Sequence, residues 1–285
     1  MIRTIKKIEQ SKIINEGGLQ MKQPLPSTAI KDIDPFVLLH HHGPMQCEKG
    51  FELPFGPHPH RGFETVTIIY HGDIEHKDSL GTSSIIRTGG IQWMTAGSGI
   101  IHSENVSDAF KENGGELEII QLWINLPSSL KMTPPVYQGI QSEQLPLISL
   151  NPHAIMKLIS GTYHSVQSPV ISITDIFLST ISILENTHIQ LQVPESSSIL
   201  FYVKKGNVQI QNEHIKQHSL IQFNDKGYTI IIDASEGTEI LFGYGIPYHE
   251  PIVARGPFVM NSFNEINQAI DDYHAGNMGN IDLSL

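Results

Sequence analysis

Sulfur, positive charge and long apolar runs are all scarce in this chain. A single cysteine, Cys47 among 285 residues, excludes an internal disulfide framework and fits a reducing compartment. Lys and Arg number 18 against 29 Asp and Glu, a formal charge of −11 at neutral pH. Such a surface repels phosphate and argues against direct nucleic-acid binding. No uncharged apolar run approaches the length of a membrane span. The most apolar stretch, Val170 to Leu184, carries Asp175 in its middle. The basic start is followed by Glu9, Gln10, Ser11 and Lys12, where a secretory signal would place an apolar segment. These absences predict a cytoplasmic protein with no membrane partner.

What is present is β-type. Hydrophobic residues make up 39% and charged residues 16%, enough apolar material for a sizeable core. The length suggests two domains, at roughly 100–200 residues each. Phe63 to Tyr70 is rich in β-branched and aromatic residues and stops at Gly72. Leu117–Leu126, Ile155–Ile159, Val170–Leu184, Ile199–Val203, Val208–Ile210, Tyr228–Ile232 and Glu239–Gly243 read as further strands. Turn residues separate them at intervals of about ten, the rhythm of an all-β sandwich or barrel. The strong helix signal comes only near the end. Ser262 and Glu265 form a capping box, Ile266, Ala269, Ile270 and Tyr273 form one apolar stripe, and Gly276 stops it.

The chain resembles itself. Thr65 to Ile74 aligns with Ile199 to Val208, Gly90-Ile91-Gln92-Trp93 with Ser219 to Phe223, and Glu118 to Pro127 with Glu239 to Pro247. Pro127-Ser128-Ser129 and Pro134-Pro135 mark a linker between the copies. The economical reading is two tandem β-barrels, residues 1–135 and 136–285, with a short terminal helix closing the second.

The chain holds 15 histidines, and two short patterns give some of them a chemical reading. His58-Pro59-His60 and His102-Ser103-Glu104 each place ligand-type side chains two residues apart, on one face of an extended backbone. A His-x-His alone is a weak signal at this histidine content, and His40-His41-His42 supplies another. Glycines 62, 97 and 99 around both pairs permit the tight turns that a site needs. Three imidazoles and a carboxylate suit one divalent transition metal, Fe(II) first, with Mn, Ni, Cu, Co and Zn as further fits. On the strand alignment, the second copy has Gln192 and Pro194 where the first has His58 and His60. This predicts one metal-binding barrel and one degenerate barrel.

Phe55-Gly56-Pro57-His58-Pro59-His60-Arg61-Gly62-Phe63-Glu64-Thr65-Val66 and Ile91-Gln92-Trp93-Met94-Thr95-Ala96-Gly97-Ser98-Gly99-Ile100-Ile101-His102-Ser103-Glu104 closely resemble the signatures of the pirin family. Gln121 to Leu126 and Gly256 to Asn261 fit the same family. The resemblance spans nearly the whole chain and implies a bicupin, two tandem cupin barrels with a metal, commonly iron, in the first. It carries the metal-ligand set onto His58, His60, His102 and Glu104. Three positions depart from or qualify the pattern. Ser98 stands where Arg is frequent, His40 replaces an acidic residue, and Glu64 occupies a ligand slot of the wider cupin pattern.

The resemblance implies two functions. One is a metal-dependent dioxygenase of the quercetin 2,3-dioxygenase type, cleaving a flavonol or smaller aromatic enol with dioxygen, and with Glu104 as catalytic base. The other is a non-catalytic, redox-responsive co-regulator that meets a protein partner through the same iron site. A sugar isomerase shares the metal chemistry but lacks support from the motifs. A monomer is expected, because two barrels in one chain can pack together. Plainer readings apply elsewhere. Trp93, Met94 and Phe63 read as core, Cys47 as inert and Glu64 as a partner of Arg61 or of an imidazole. Phe51, Phe55 and Met45 divide between core and pocket wall, and the His40 to His42 run reads as surface or strand polarity.

Overall fold

The computed structural model describes residues 1–281. Three strands open the chain: β1 (Ile5–Gln10), β2 (Lys12–Glu16) and β3 (Leu19–Leu25). Then come β4 (Phe36–Cys47), β5 (Phe55–His60), β6 (Phe63–His71), β7 (Asp73–Asp78) and β8 (Ser83–Arg87). β9 (Ile91–Thr95), β10 (Ile100–Asn105), helix α1 (Asp108–Asn113), β11 (Gly115–Asn125) and β12 (Val136–Ile140) complete the earlier half. The later half holds β13 (Leu147–Asn151), β14 (Ala154–Ser160), β15 (Thr162–Tyr163), β16 (Val166–Gln167), β17 (Phe177–Ile183) and β18 (Thr187–Gln192). It continues through β19 (Ser198–Lys205), β20 (Asn207–Ile210), β21 (Glu213–Lys216), β22 (Ser219–Phe223), β23 (Thr229–Ala234) and β24 (Glu239–Gly245). A hairpin, β25 (Val253–Arg255) and β26 (Phe258–Met260), precedes helix α2 (Phe263–His274). No helix among the described residues is long and apolar enough to cross a membrane.

The internal repeat is a repeat of topology. One seven-stranded sheet runs β12-β9-β6-β11-β4-β3-β2, the other β1-β22-β19-β24-β17-β14-β13. The block β9-β6-β11-β4 therefore matches β22-β19-β24-β17; the sequence alignment predicts the first three of these pairs, and the sheets add β4 with β17. The four-stranded sheets match as well, β5-β10-β7-β8 against β18-β23-β20-β21. Both barrels make the same hairpin at a glycine with positive φ, +84° at Gly72 and +77° at Gly206. At Gly72 an added Cβ would lie 2.9 Å from the Leu117 side chain, so the turn needs glycine for space as well as for torsion.

The chain divides into two compact units, neither contiguous. One gathers Met1–Ile13, Lys22–Leu39 and Glu143–Pro247; the other gathers Ile14–Met21, His40–Ser142 and the chain from Tyr248 on. In the first, Leu191, Ile230 and Ile232 from the four-stranded sheet and Met156, Phe201 and Phe242 from the seven-stranded sheet share one core. Burial of each such side chain is worth ~1.5–3 kcal/mol. In the second unit, α2 lays Ile266 and Ala269 on Ile101, Phe258 and Met260. The capping box forms: the Glu265 amide donates to Ser262 Oγ, and Glu265 Oε2 accepts from the Asn261 amide. The terminal helix thus belongs to the unit that contains the earlier barrel.

One local expectation is corrected and another is narrowed. The apolar run Val170–Leu184 becomes a strand only from Phe177. Upstream, Ser168 Oγ takes the Val170 amide and Ser172 Oγ takes the Thr174 amide, local bonds that replace ladder pairing. Of the two readings of the histidine run, strand holds and surface does not: it lies within β4, where His41 and His42 are buried and His41 Nε2 meets Glu118 Oε1 at 3.0 Å. Partial burial pushes the neighbouring His40 down from 6.5 to about 4. Between those values the unfolded chain takes up a proton that the folded chain refuses. Stability therefore falls as pH drops through that window, by on the order of 1.4 kcal/mol per pH unit for this group. Imidazole NMR titration should find His40 neutral down to about pH 4, and an inflection near 6.5 would contradict this placement.

Candidate metal centre

β5 and β10 run antiparallel with His58 opposite His102 and His60 opposite Ile100. Because side chains alternate, that register puts His58, His60, His102 and Glu104 on a common face. The turn after His60 is held tightly. Gly62 has φ +89°, its amide donates to the Gly97 carbonyl at 2.9 Å, and an added Cβ would strike the Val259 carbonyl. Buried Lys131 donates from Nζ to the carbonyls of Gly62 and Val259, each at 2.8 Å, and to Asn125 Oδ1 at 2.7 Å.

One ligand atom from each of His58, His60 and His102 lies within 4.8 Å of the others, the one such metal-competent group among the described residues. Nδ1 of His58 meets the Gly56 carbonyl at 2.7 Å, and Nδ1 of His60 meets the Pro257 carbonyl at 3.2 Å. Carbonyl oxygens only accept, so both rings carry their proton on Nδ1 and turn bare Nε2 lone pairs inward. Those two Nε2 atoms stand 3.1 Å apart. Two acceptors at that distance repel unless a cation lies between them. Nitrogens bound to one ion at about 2.1 Å and at right angles stand about 3.0 Å apart. Nε2 of His102 is buried without a hydrogen-bond partner. The donor set therefore fits a divalent transition metal.

The electrostatics agree. Burial, then the neighbouring His58, pushes His60 well below its ordinary value. His102 is pushed down in the same way, by burial and then by His60, His58 and His76. Both rings are neutral, as ligation requires.

Glu104 lies outside the group of three nitrogens. Its Oε1 accepts from Thr67 Oγ1 at 3.0 Å and its Oε2 from Gln121 Nε2 at 2.9 Å, with Trp123 Nε1 donating to Gln121 Oε1 at 3.2 Å. Each carboxylate oxygen retains a second lone pair. Aromatic rings surround His60: Phe63 at 5.1 Å and Trp123 at 5.2 Å, centroid to centroid. Glu64 Oε1 accepts from Trp93 Nε1 at 3.0 Å and Thr95 Oγ1 at 2.7 Å, while Arg61 reaches Asp272 Oδ2 at 2.7 Å and the Ser98 carbonyl at 2.6 Å. Trp93, Met94 and Phe63 are core, as expected, and Phe51, Phe55 and Met45 pack on the cluster that contains buried Cys47. Burial raises the Cys47 thiol, which keeps it inert.

Sequence reasoning passed over His76 and Asp78. His76 Nε2 is 2.9 Å from Asp78 Oδ2, its Nδ1 is 3.4 Å from Nδ1 of His102, and Tyr137 stacks on its ring at 3.9 Å. Burial raises the Asp78 carboxyl, but hydrogen bonds from His76 and from the Thr82 and Leu80 amides outweigh it and leave a lowered pKa. The signal was available: His76-Lys77-Asp78 is another ligand-type pair two residues apart on a strand.

The later barrel shows what replaces the centre. Gly72 corresponds to Gly206, which sets Glu75 against Gln209. Glu75 pairs with Asn105 and Gln209 with Asp233. His102 and Glu104 then correspond to Ile230 and Ile232. His58 pairs with His102 and Leu191 with Ile230, so His58 and His60 correspond to Leu191 and Val193. All four replacements are buried core residues. The sequence alignment, which named Gln192 and Pro194, is one residue out of register. In a strand, that slip exchanges the inward face for the outward one.

Residues 18–124 match the family model described as Pirin, and residues 178–279 match the Pirin C-terminal cupin domain. Pirin-1 of Arabidopsis thaliana is 36% identical over 284 residues, covering 96% of this chain and 94% of its own. The chain belongs to the pirin family. A pirin-like protein of Caulobacter vibrioides is 31% identical over 278 residues, covering 96% of this chain and 99% of its own. A crystal structure of quercetin 2,3-dioxygenase from Acinetobacter baumannii superposes with a TM-score of 0.93 at 35% identity, covering 99% of this chain and 100% of that one. The present chain is thus a pirin-family bicupin.

Two measurements probe the centre. His60→Ala and His102→Ala should each abolish stoichiometric cobalt(II) binding followed by visible absorption, and undiminished binding would contradict the assignment. Lys131→Met leaves the three acceptors of a buried ammonium unpaired and should cost at least about 2 kcal/mol in urea unfolding.

Proposed function

We propose that this pirin is a metal-dependent dioxygenase of the quercetin 2,3-dioxygenase type. The supporting observation is the trio of inward-turned Nε2 atoms beside a buried carboxylate. The similarity of the whole chain to the Acinetobacter baumannii enzyme adds to it. His58, His60 and His102 would hold the metal, with Glu104 as a fourth, looser ligand. A divalent metal bound there supplies Lewis acidity toward adjacent hydroxyl and carbonyl oxygens and the redox chemistry that dioxygen requires, with Fe(II) the first choice on donor chemistry.

The residues of the chain carry the rest. Thr67 and Gln121 fix the two oxygens of Glu104, so its carboxylate is oriented before substrate arrives. From that position Glu104 accepts the proton of a flavonol 3-hydroxyl, which makes the ring electron-rich. Trp123, half-buried against His60 and backed by the buried Phe63 ring at 4.3 Å, offers aromatic surface to a planar substrate. The net acidity of the chain, −11, gives no reason to expect a nucleic-acid partner.

The test is steady-state turnover of quercetin by metal-depleted protein reloaded in turn with iron, manganese, nickel, cobalt and copper in air. Loss of the flavonol absorbance should accompany oxygen uptake and carbon monoxide release. Glu104→Gln should lower kcat by about 100-fold or more. No turnover with any of these metals would overturn the reading.

A further inference from the structure

The third ligand differs from the other two in what holds it. His58 and His60 give their Nδ1 protons to backbone carbonyls. His102 has a second imidazole in that place, at 3.4 Å, and two facing imidazole nitrogens leave the tautomer undecided. The decision lies one residue further out. Asp78 Oδ1 accepts from the amides of Leu80 at 2.9 Å and Thr82 at 3.0 Å, which fixes the carboxylate. Its Oδ2, 2.9 Å from His76 Nε2, only accepts, so the His76 proton sits on Nε2. His76 Nδ1 is then an acceptor, His102 must donate from Nδ1, and Nε2 of His102 is left bare toward the other two ligands. Tyr137, within 13° of parallel to the His76 ring and tied by its hydroxyl to Ser84 at 2.7 Å, holds the plane in which both nitrogens point. His76, Asp78 and His102 are each at most 3% exposed, so no bulk water competes for these bonds.

We propose that Asp78 and His76 are positioning residues of the metal centre, a buried carboxylate–imidazole chain that selects the ligating tautomer of His102 and aims its ring. This rests on the metal-centre reading above and adds to it a pair of residues that touch neither metal nor substrate. The pair also explains a sequence pattern, since His76 and Asp78 lie on β7 directly beside β10. There Asp78 pairs with His102 and His76 with Glu104.

Long-range proton–nitrogen correlation spectra of the full chain, metal-free and zinc-loaded, test the tautomers. His76 should show its proton on Nε2 and His102 on Nδ1 in both forms. Asp78→Asn can turn its amide NH2 toward His76, which moves the His76 proton to Nδ1 and sets two donors face to face. Cobalt(II) affinity, from competition with a chromophoric chelator, should fall about 10–100-fold in Asp78→Asn and in His76→Leu. His76→Gln, whose Oε1 can still accept from His102, should recover part of that loss, which a purely packing role would not predict. A wild-type His76 protonated on Nδ1 would overturn the proposal, as would unchanged affinity in both Asp78→Asn and His76→Leu. If wild-type protein binds no cobalt, the metal reading fails by itself, and the metal-free tautomers still decide whether the chain operates as described. Should His76→Leu not fold, Asp78→Asn and the wild-type spectra carry the test.

Discussion

The register between β5 and β10 is the constraint on which the site depends. With His58 opposite His102, the alternation of an extended backbone delivers every ligand-type side chain of both strands to one face. A slip of β5 by one residue would turn His58 and His60 outward and bring Pro57 and Pro59 in, parting them from His102 and Glu104. The elements that fix this register are therefore part of the centre although none of them is a ligand. They include the Gly62 turn with its amide on Gly97, the Lys131 ammonium beneath it, and Arg61 reaching Asp272 on α2.

Burying His60 and His102 and half-burying His58 is costly, and the later barrel shows the alternative. At the corresponding positions it has Leu191, Val193, Ile230 and Ile232, with the same strand order and the same glycine hairpin. The strand order thus requires no ligand-type side chain at these four positions. In the earlier barrel the cost is met by giving each imidazole an acceptor behind it: the Gly56 carbonyl, the Pro257 carbonyl and the His76 ring. Those acceptors come from a strand start, a segment far along the chain and a neighbouring strand. Each leaves a nitrogen lone pair directed at a common point.

Much of this was legible in the residues. Strand rhythm, the internal repeat, the capped helix and the His-x-His with His-x-Glu pairs follow from local periodicity, which depends only on backbone geometry. The errors came where the outcome depended on competing partners. Val170–Leu184 has strand composition, yet Ser168 and Ser172 take amides locally. His40 to His42 read as surface or strand polarity, and only the fold decides between the two, carrying His41 and His42 inside on a long strand beside Glu118. His76 and Asp78 have the same two-residue spacing as the ligand pairs. Only the packing of β7 against β10 shows that they stand behind His102 rather than in front of it.

By itself the sequence determined the β-class and the duplication, and singled out three histidines and a glutamate at two-residue spacing, because period-two alternation and residue chemistry are local properties. Tertiary structure decided the rest: which nitrogen of each ring is bare, that Glu104 is held by Thr67 and Gln121, and that the terminal helix belongs with the earlier barrel. It also decided that the positions of the later barrel matching the His58, His60, His102 and Glu104 set are aliphatic core rather than Gln and Pro. These outcomes rest on hydrogen bonds and strand register between residues distant in the chain, and distance along the chain carries no information about either.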